Sequence, residues 1–111
     1  MTKKRIVYER KSPFQEALKK QRRLSNMITL LSSAYLKSCE NNWNVTLLYL
    51  NSILGWPGNN ISDIMRNSPA NKLFKEHIGE DGIYYTLNAK YRQIQQPYMV
   101  DYIKIIAKRG F

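Results

Sequence analysis

A chain of 111 residues, 43% apolar and 12% aromatic, is long enough for one modest core and too apolar for wholesale disorder. Its net charge of +10 and pI near 9.9 point to an anionic partner, nucleic acid first and an acidic protein or membrane surface after. The single cysteine, Cys39, excludes an internal disulfide and a cysteine-based zinc site, which fits a reducing cytoplasm.

The charge is concentrated at one end. Residues 1–23 carry +7 and the remaining residues +3, a distribution that suits a phosphate-contacting arm better than an evenly solubilised surface. Residues 1–11 read as a basic arm, in which Lys3, Lys4 and Arg5 precede the strand-prone Ile6, Val7 and Tyr8. Ser12 then has the marks of a helix N-cap: Pro13 fits the first helical position and Gln15 completes a capping box. Apolar residues follow at Phe14, Ala17 and Leu18, then at Leu24, Met27, Ile28, Leu31, Ala34 and Tyr35, the later set forming a helical stripe that carries the helix to about Cys39. Ser25-Asn26 is a candidate break and Asn41-Asn42 the end. The early outward positions are basic, at Lys19, Lys20, Arg22 and Arg23, so this end of the helix is expected to lie along a phosphate backbone.

Leu36-Lys37-Ser38-Cys39 faintly resembles a lipoprotein cleavage site, but Lys37 stands where a small residue belongs and polar residues interrupt the apolar run before it. No stretch approaches the roughly 20 apolar residues that span a bilayer. A cytoplasmic protein without a membrane partner is expected.

Trp43, Leu47, Leu50 and Leu54 recur at three- and four-residue steps and predict a second helix from about Trp43, capped by Asn42 or Asn44. Val45 and Thr46 carry a weaker strand preference. After Gly55, the run Trp56-Pro57-Gly58-Asn59-Asn60 is dense in turn residues. Ile61, Ile64 and Met65 resume helical spacing, predicting a third helix over about 60–67 with Asn60 as its cap. Ser68-Pro69 interrupts, and 70–78 stays open between helix and strand. Gly79-Glu80-Asp81-Gly82 is a turn, and Ile83-Tyr84-Tyr85-Thr86-Leu87 is the strongest strand signal in the chain. Asn88 can cap a helix to about Gln96, and Pro97 kinks or restarts it into a last helix over 98–109. That helix carries two apolar stripes, Met99, Ile103 and Ile106 beside Tyr98, Tyr102 and Ile105. One stripe suffices to dock a terminal helix on its own domain, so the second predicts contact with another copy, a homodimer.

The stretch from Leu50 to Arg66 resembles a helix-turn-helix: Gly55 sits at the turn, Leu50 and Leu54 face inward before it, and Trp56, Ile61 and Ile64 after it. Asn51 stands where such motifs carry a small residue. The strand, turn and strand that follow, ending in Gly82–Asn88, resemble the wing of the winged-helix family. The expected fold is therefore mainly α with a small β-hairpin wing, a winged helix-turn-helix over residues 12–111 with a C-terminal dimerisation helix at about 98–109.

The resemblance implies sequence-specific binding of double-stranded DNA in a nucleoid-associated protein, as a transcriptional repressor or a plasmid or phage partition-type accessory factor. Asn59, Asn60, Ser62, Asp63, Arg66 and Asn67 would face base edges, where amides suit adenine and a guanidinium suits guanine. Phosphates would be held by Lys3, Lys4, Arg5, Lys19, Lys20, Arg22 and Arg23, with Lys75, Lys90 and Arg92 on the flanks of an acidic wing turn. A two-fold dimer would read half-sites roughly 34 Å apart.

Catalysis is not expected. His77 is the one histidine, no cysteine stands ready beside it, and the chain holds no P-loop, dinucleotide fingerprint or nuclease-type carboxylate cluster. Neither a cofactor nor a metal is expected. The main alternative is a basic interaction protein of a mobile element that inhibits a host protein or a nucleic-acid complex. RNA binding is a third reading.

Overall fold

The computed structural model describes residues 13–109. Helix α1 (Pro13–Glu40) runs uninterrupted for 28 residues, so Ser25-Asn26 does not break it. Its two halves have different surroundings. Residues 13–23 are exposed throughout, whereas Leu30, Leu31, Ala34, Tyr35 and Ser38 form a buried face at helical spacing. The Ser12 cap and the arm over 1–11, with Lys3, Lys4 and Arg5, lie outside the described residues.

The chain leaves α1 through Asn42 and Trp43, both at positive φ, with the Trp43 N–H donating to Ser38 O at 2.7 Å. The second helix does not begin here, as the spacing of Trp43 and Leu47 had suggested. Asn44–Thr46 form a strand, β1, whose Val45 is buried opposite Tyr85. The reason is tertiary: a ladder to a strand 40 residues away outweighs a local helical period. Thr46 then caps helix α2 (Leu47–Leu54), its hydroxyl accepting from the Tyr49 N–H at 3.0 Å.

Gly55 ends α2 at φ 71, a left-handed conformation that favours glycine, and its N–H donates to Asn51 O at 2.9 Å. Helix α3 (Gly58–Met65) starts ahead of the predicted Asn60, from Pro57 and without a side-chain cap, so Asn60 lies inside the helix. The undecided stretch divides: Ala70–Leu73 make one turn of helix, α4, and Phe74–Gly79 form strand β2. Strand β3 (Gly82–Leu87) completes a hairpin whose register runs from Phe74↔Leu87 to Gly79↔Gly82. Glu80-Asp81 is the two-residue turn, entered by β3 through Gly82 at φ 116.

The three strands form one antiparallel sheet in the order β1-β3-β2. Asn88 caps a single 3₁₀ turn, Ala89–Tyr91, rather than the longer helix expected there. Helix α5 (Gln96–Arg109) then packs along α1, burying Met99, Ile103 and Ile106. One apolar cluster joins all of this: Leu30 and Leu31 of α1, Leu50 of α2, Ile61 of α3, Tyr85 and Leu87 of β3, and Met99 and Ile103 of α5. The described chain is thus mainly helical with a small three-stranded antiparallel sheet. No described helix is long and apolar enough to cross a membrane.

Candidate nucleic-acid interface

Helix α3 turns Ile61, Ser62 and Met65 into the core and leaves Asn59, Asn60 and Asp63 exposed, followed by the exposed Arg66 and Asn67. The burial repeats at helical period, so one outward face remains, with Asn59, Asp63 and Arg66 in line along it. Ser62 corrects the sequence-based set: it is 7% exposed, and its hydroxyl donates to Asn59 O at 3.1 Å. It cannot reach a groove from there.

The C-terminal end of α3 is tied to two neighbouring elements, β2 and α4. Arg66 donates through Nε to Glu76 Oε1 at 3.0 Å and through Nη2 to Oε2 at 3.1 Å, clamping α3 to β2. That carboxylate raises the Arg66 pKa, first by hydrogen bonding and then by its charge. Asn67 donates to Asp63 O at 2.6 Å, and Asn71 of α4 donates to Arg66 O at 3.0 Å. At the other end, Asn51 donates to Trp56 O at 2.6 Å across the turn. The polar residue in a small-residue position is therefore used: its amide spans the connection that closer helix packing would otherwise secure. Together these bonds fix the height and rotation of α3.

Beside α3 runs a furrow made of three adjoining clefts. The first, about 400 Å³, lies between Asn26 of α1 and Trp56, Asn60, Asp63 and Ile64. The second, about 240 Å³, shares Asn26 and Ile64 with it and adds Arg23 and Asn67. The third, about 430 Å³, shares Arg23 and Met27 with the second and is walled by Lys20, Pro69, Lys108 and Arg109. Lys20 and Arg23 stand three residues apart on one side of α1 and line the furrow; Lys19 and Arg22 are exposed and are not among the lining residues. Lys108 and Arg109 had no place in the sequence-based set. Their type was visible, but only the packing of α5 along α1 brings them to this wall.

Lys75, Lys90 and Arg92 fall elsewhere. Strand alternation puts Lys75 on the opposite sheet face from Phe74 and Glu76. It shares a polar cleft of about 290 Å³ with Arg92. Lys90 is exposed on the following turn, its ammonium 5.6 Å from the Tyr91 ring centroid. The expected phosphate contacts thus divide between two surfaces.

On α5, Met99, Ile103 and Ile106 are consumed by the protomer's own core. Tyr98 and Ile105 remain 66% and 47% exposed, and Tyr102 is half-buried with its ring 5.7 Å from that of Tyr91. His77 stacks on Tyr84, and no group of three potential metal ligands exists among the described residues. No family model matches the chain, and neither a curated protein nor a solved structure matches it.

Proposed function

We propose that this protein binds double-stranded DNA sequence-specifically as a winged helix-turn-helix homodimer, serving as a repressor or a plasmid or phage partition-type accessory factor without catalysis of its own. The observation that carries the reading is the exposed Asn59–Asp63–Arg66 face of α3, braced at both ends, beside a furrow walled by Lys20, Arg23, Lys108 and Arg109. The hairpin that follows α3 is the wing of this reading.

The division of labour follows from charge. Asp63 and the Glu76-paired Arg66 leave the α3 face without net positive charge, so it contributes little non-specific attraction. Attraction comes from the furrow wall, whose cations release counterions from the phosphates they meet. A guanidinium carries more donors than one carboxylate accepts, so Arg66 can reach a guanine edge while Glu76 holds its orientation. Asn59 and Asn60 supply the amides that pair with adenine. Titration of a duplex by fluorescence anisotropy across a salt series tests this. A steep fall of affinity with salt is expected, and an affinity indifferent to salt would remove the furrow from the account.

The dimer would use the stripe that the core leaves uncovered, Tyr98 and Ile105 with the edge of Tyr102. Light scattering at micromolar concentration should give the mass of two chains, and a Tyr98→Ser, Ile105→Ser double variant should give one. A monomer mass for the unaltered chain would refute this part.

One observation favours the alternative of a protein partner. Leu48 is 74% exposed and, with Leu47 and Ile83, lines an apolar cavity of about 370 Å³ between α2 and the wing turn. Leu48→Ser should leave DNA binding unchanged under the first reading and abolish partner contact under this one.

A further inference from the structure

The outer face of the sheet is a second surface, with chemistry unlike that of α3. The register sets Lys75, Thr86 and Asn44 in one row across the three strands and His77, Tyr84 and Thr46 in the next. The His77 and Tyr84 rings stack 4.8 Å apart at 14°, and His77 Nε2 lies 2.9 Å from Thr86 Oγ1, which fixes the ring. A stacked pair presents one outer ring face on each side. At the Leu87 end, the Arg92 guanidinium sits 6.0 Å over the Trp43 ring while its Nε donates to Leu87 O at 2.9 Å. Trp43 itself is anchored by Ser38 O and by the Leu87 N–H.

Lys72, Lys75 and Arg92 line a polar cleft with Thr86 and Asn88, one row along the sheet from the His77–Tyr84 pair. Among the described residues no carboxylate lies within ion-pair distance of any of the three. Glu76 lies on the other sheet face, held by Arg66, and Glu80 and Asp81 sit beyond Gly79 at the tip. Strand alternation puts this face opposite Glu76 and its partner Arg66, so a stiff duplex lying along α3 does not also run across it. Unstacked bases can lie against ring faces that a duplex has no free base to meet.

We propose that the outer sheet face binds single-stranded nucleic acid, with phosphates on Lys72, Lys75 and Arg92 and bases against the His77–Tyr84 pair. The site uses none of the residues that the duplex reading assigns to α3 and the furrow.

The test is anisotropy with the full chain and three labelled probes of one mixed sequence: single-stranded DNA, single-stranded RNA and duplex DNA. A Lys72→Ala, Lys75→Ala variant should weaken single-strand binding about ten-fold and duplex binding less than about two-fold. His77→Ala should weaken single-strand binding by about ten-fold through lost stacking, with an unchanged circular dichroism spectrum. Saturating duplex should not displace the single strand. Preference for DNA or RNA names the strand, and either supports the site. Single-strand binding that is absent, insensitive to Lys72 and Lys75, or lost instead with Lys20→Ala, Arg23→Ala would overturn it. Failure of duplex binding with single-strand binding intact would overturn the α3 reading and leave this one standing.

Discussion

Around α3 the cations stand on helices, at the wall of a furrow, next to an exposed polar helix face that carries Asn59, Asn60, Asp63 and Arg66. At the outer sheet face they stand on the short helix α4, a strand and a turn, close to aromatic rings. The residue types that attract phosphate are the same in both places. What differs is the company they keep: amides at helical spacing match the edges of paired bases, whereas ring faces match bases that have left the stack. Under the two proposals, net charge attracts a polyanion and the local neighbours decide which form of it each surface suits. Glu76 sharpens the contrast, because strand alternation gives it to α3 and denies it to Lys75 one residue before.

The strongest way to separate the two surfaces is Arg66→Ala. It should lower preference for a selected duplex over unrelated duplex by ~1–3 kcal/mol while leaving single-strand binding intact, read by competition anisotropy. Lys20→Ala with Arg23→Ala comes next. It should weaken duplex binding about ten-fold whatever the sequence and flatten the salt dependence of log K by roughly 2. Sequence-selective loss from this pair would mean that the furrow wall reads bases.

The smallest effect concerns the hairpin beneath both surfaces. The Tyr85 hydroxyl is buried with no hydrogen-bond partner among the described residues, opposite Glu76. Tyr85→Phe should raise stability in urea at neutral pH by ~1 kcal/mol and alter neither binding activity. Burial pushes the Tyr85 hydroxyl up to about 12, with the Glu76 carboxylate adding to the rise and Arg66 opposing it. An unfolded tyrosine releases its proton near pH ~10, so this group's contribution is intact below that and is lost as pH rises towards 12. The Phe variant should show a shallower alkaline loss. An equal loss in both proteins would assign it to other tyrosines.

Elements with a local signature were legible from sequence. The later α1 stripe through Leu31, Ala34 and Tyr35, the glycine turn at Gly55 and the Ile83–Leu87 strand each follow from short-range period or backbone conformation, and each is present, whereas Phe14, Ala17 and Leu18 stay exposed. Elements held by distant partners were not. β1 exists because Tyr84, Tyr85 and Thr86 pair with it, so Val45 and Thr46 read as strand only once β3 is in place. The predicted surface followed the same rule. Exposed Asn59, Asp63 and Arg66 could be found from helical period, and the burial of Ser62 depended on the rotation of α3 against the core, which buries Met65 more deeply than Ile64. Lys108 and Arg109 reach the furrow through packing alone; Lys75 parts from it because a strand has two faces, and Arg92 because its guanidinium is held at Leu87 O and over Trp43.

The most direct test of the duplex reading is selection from pooled random duplex DNA at ~150 mM salt, run in parallel on the unaltered chain and Arg66→Ala. The account predicts an enriched repeat with half-sites roughly 34 Å apart for the unaltered chain, and a relaxed position in each half-site for the variant. Retention without enrichment, or the same enriched sequence from both proteins, would contradict the assignment of base reading to the α3 face.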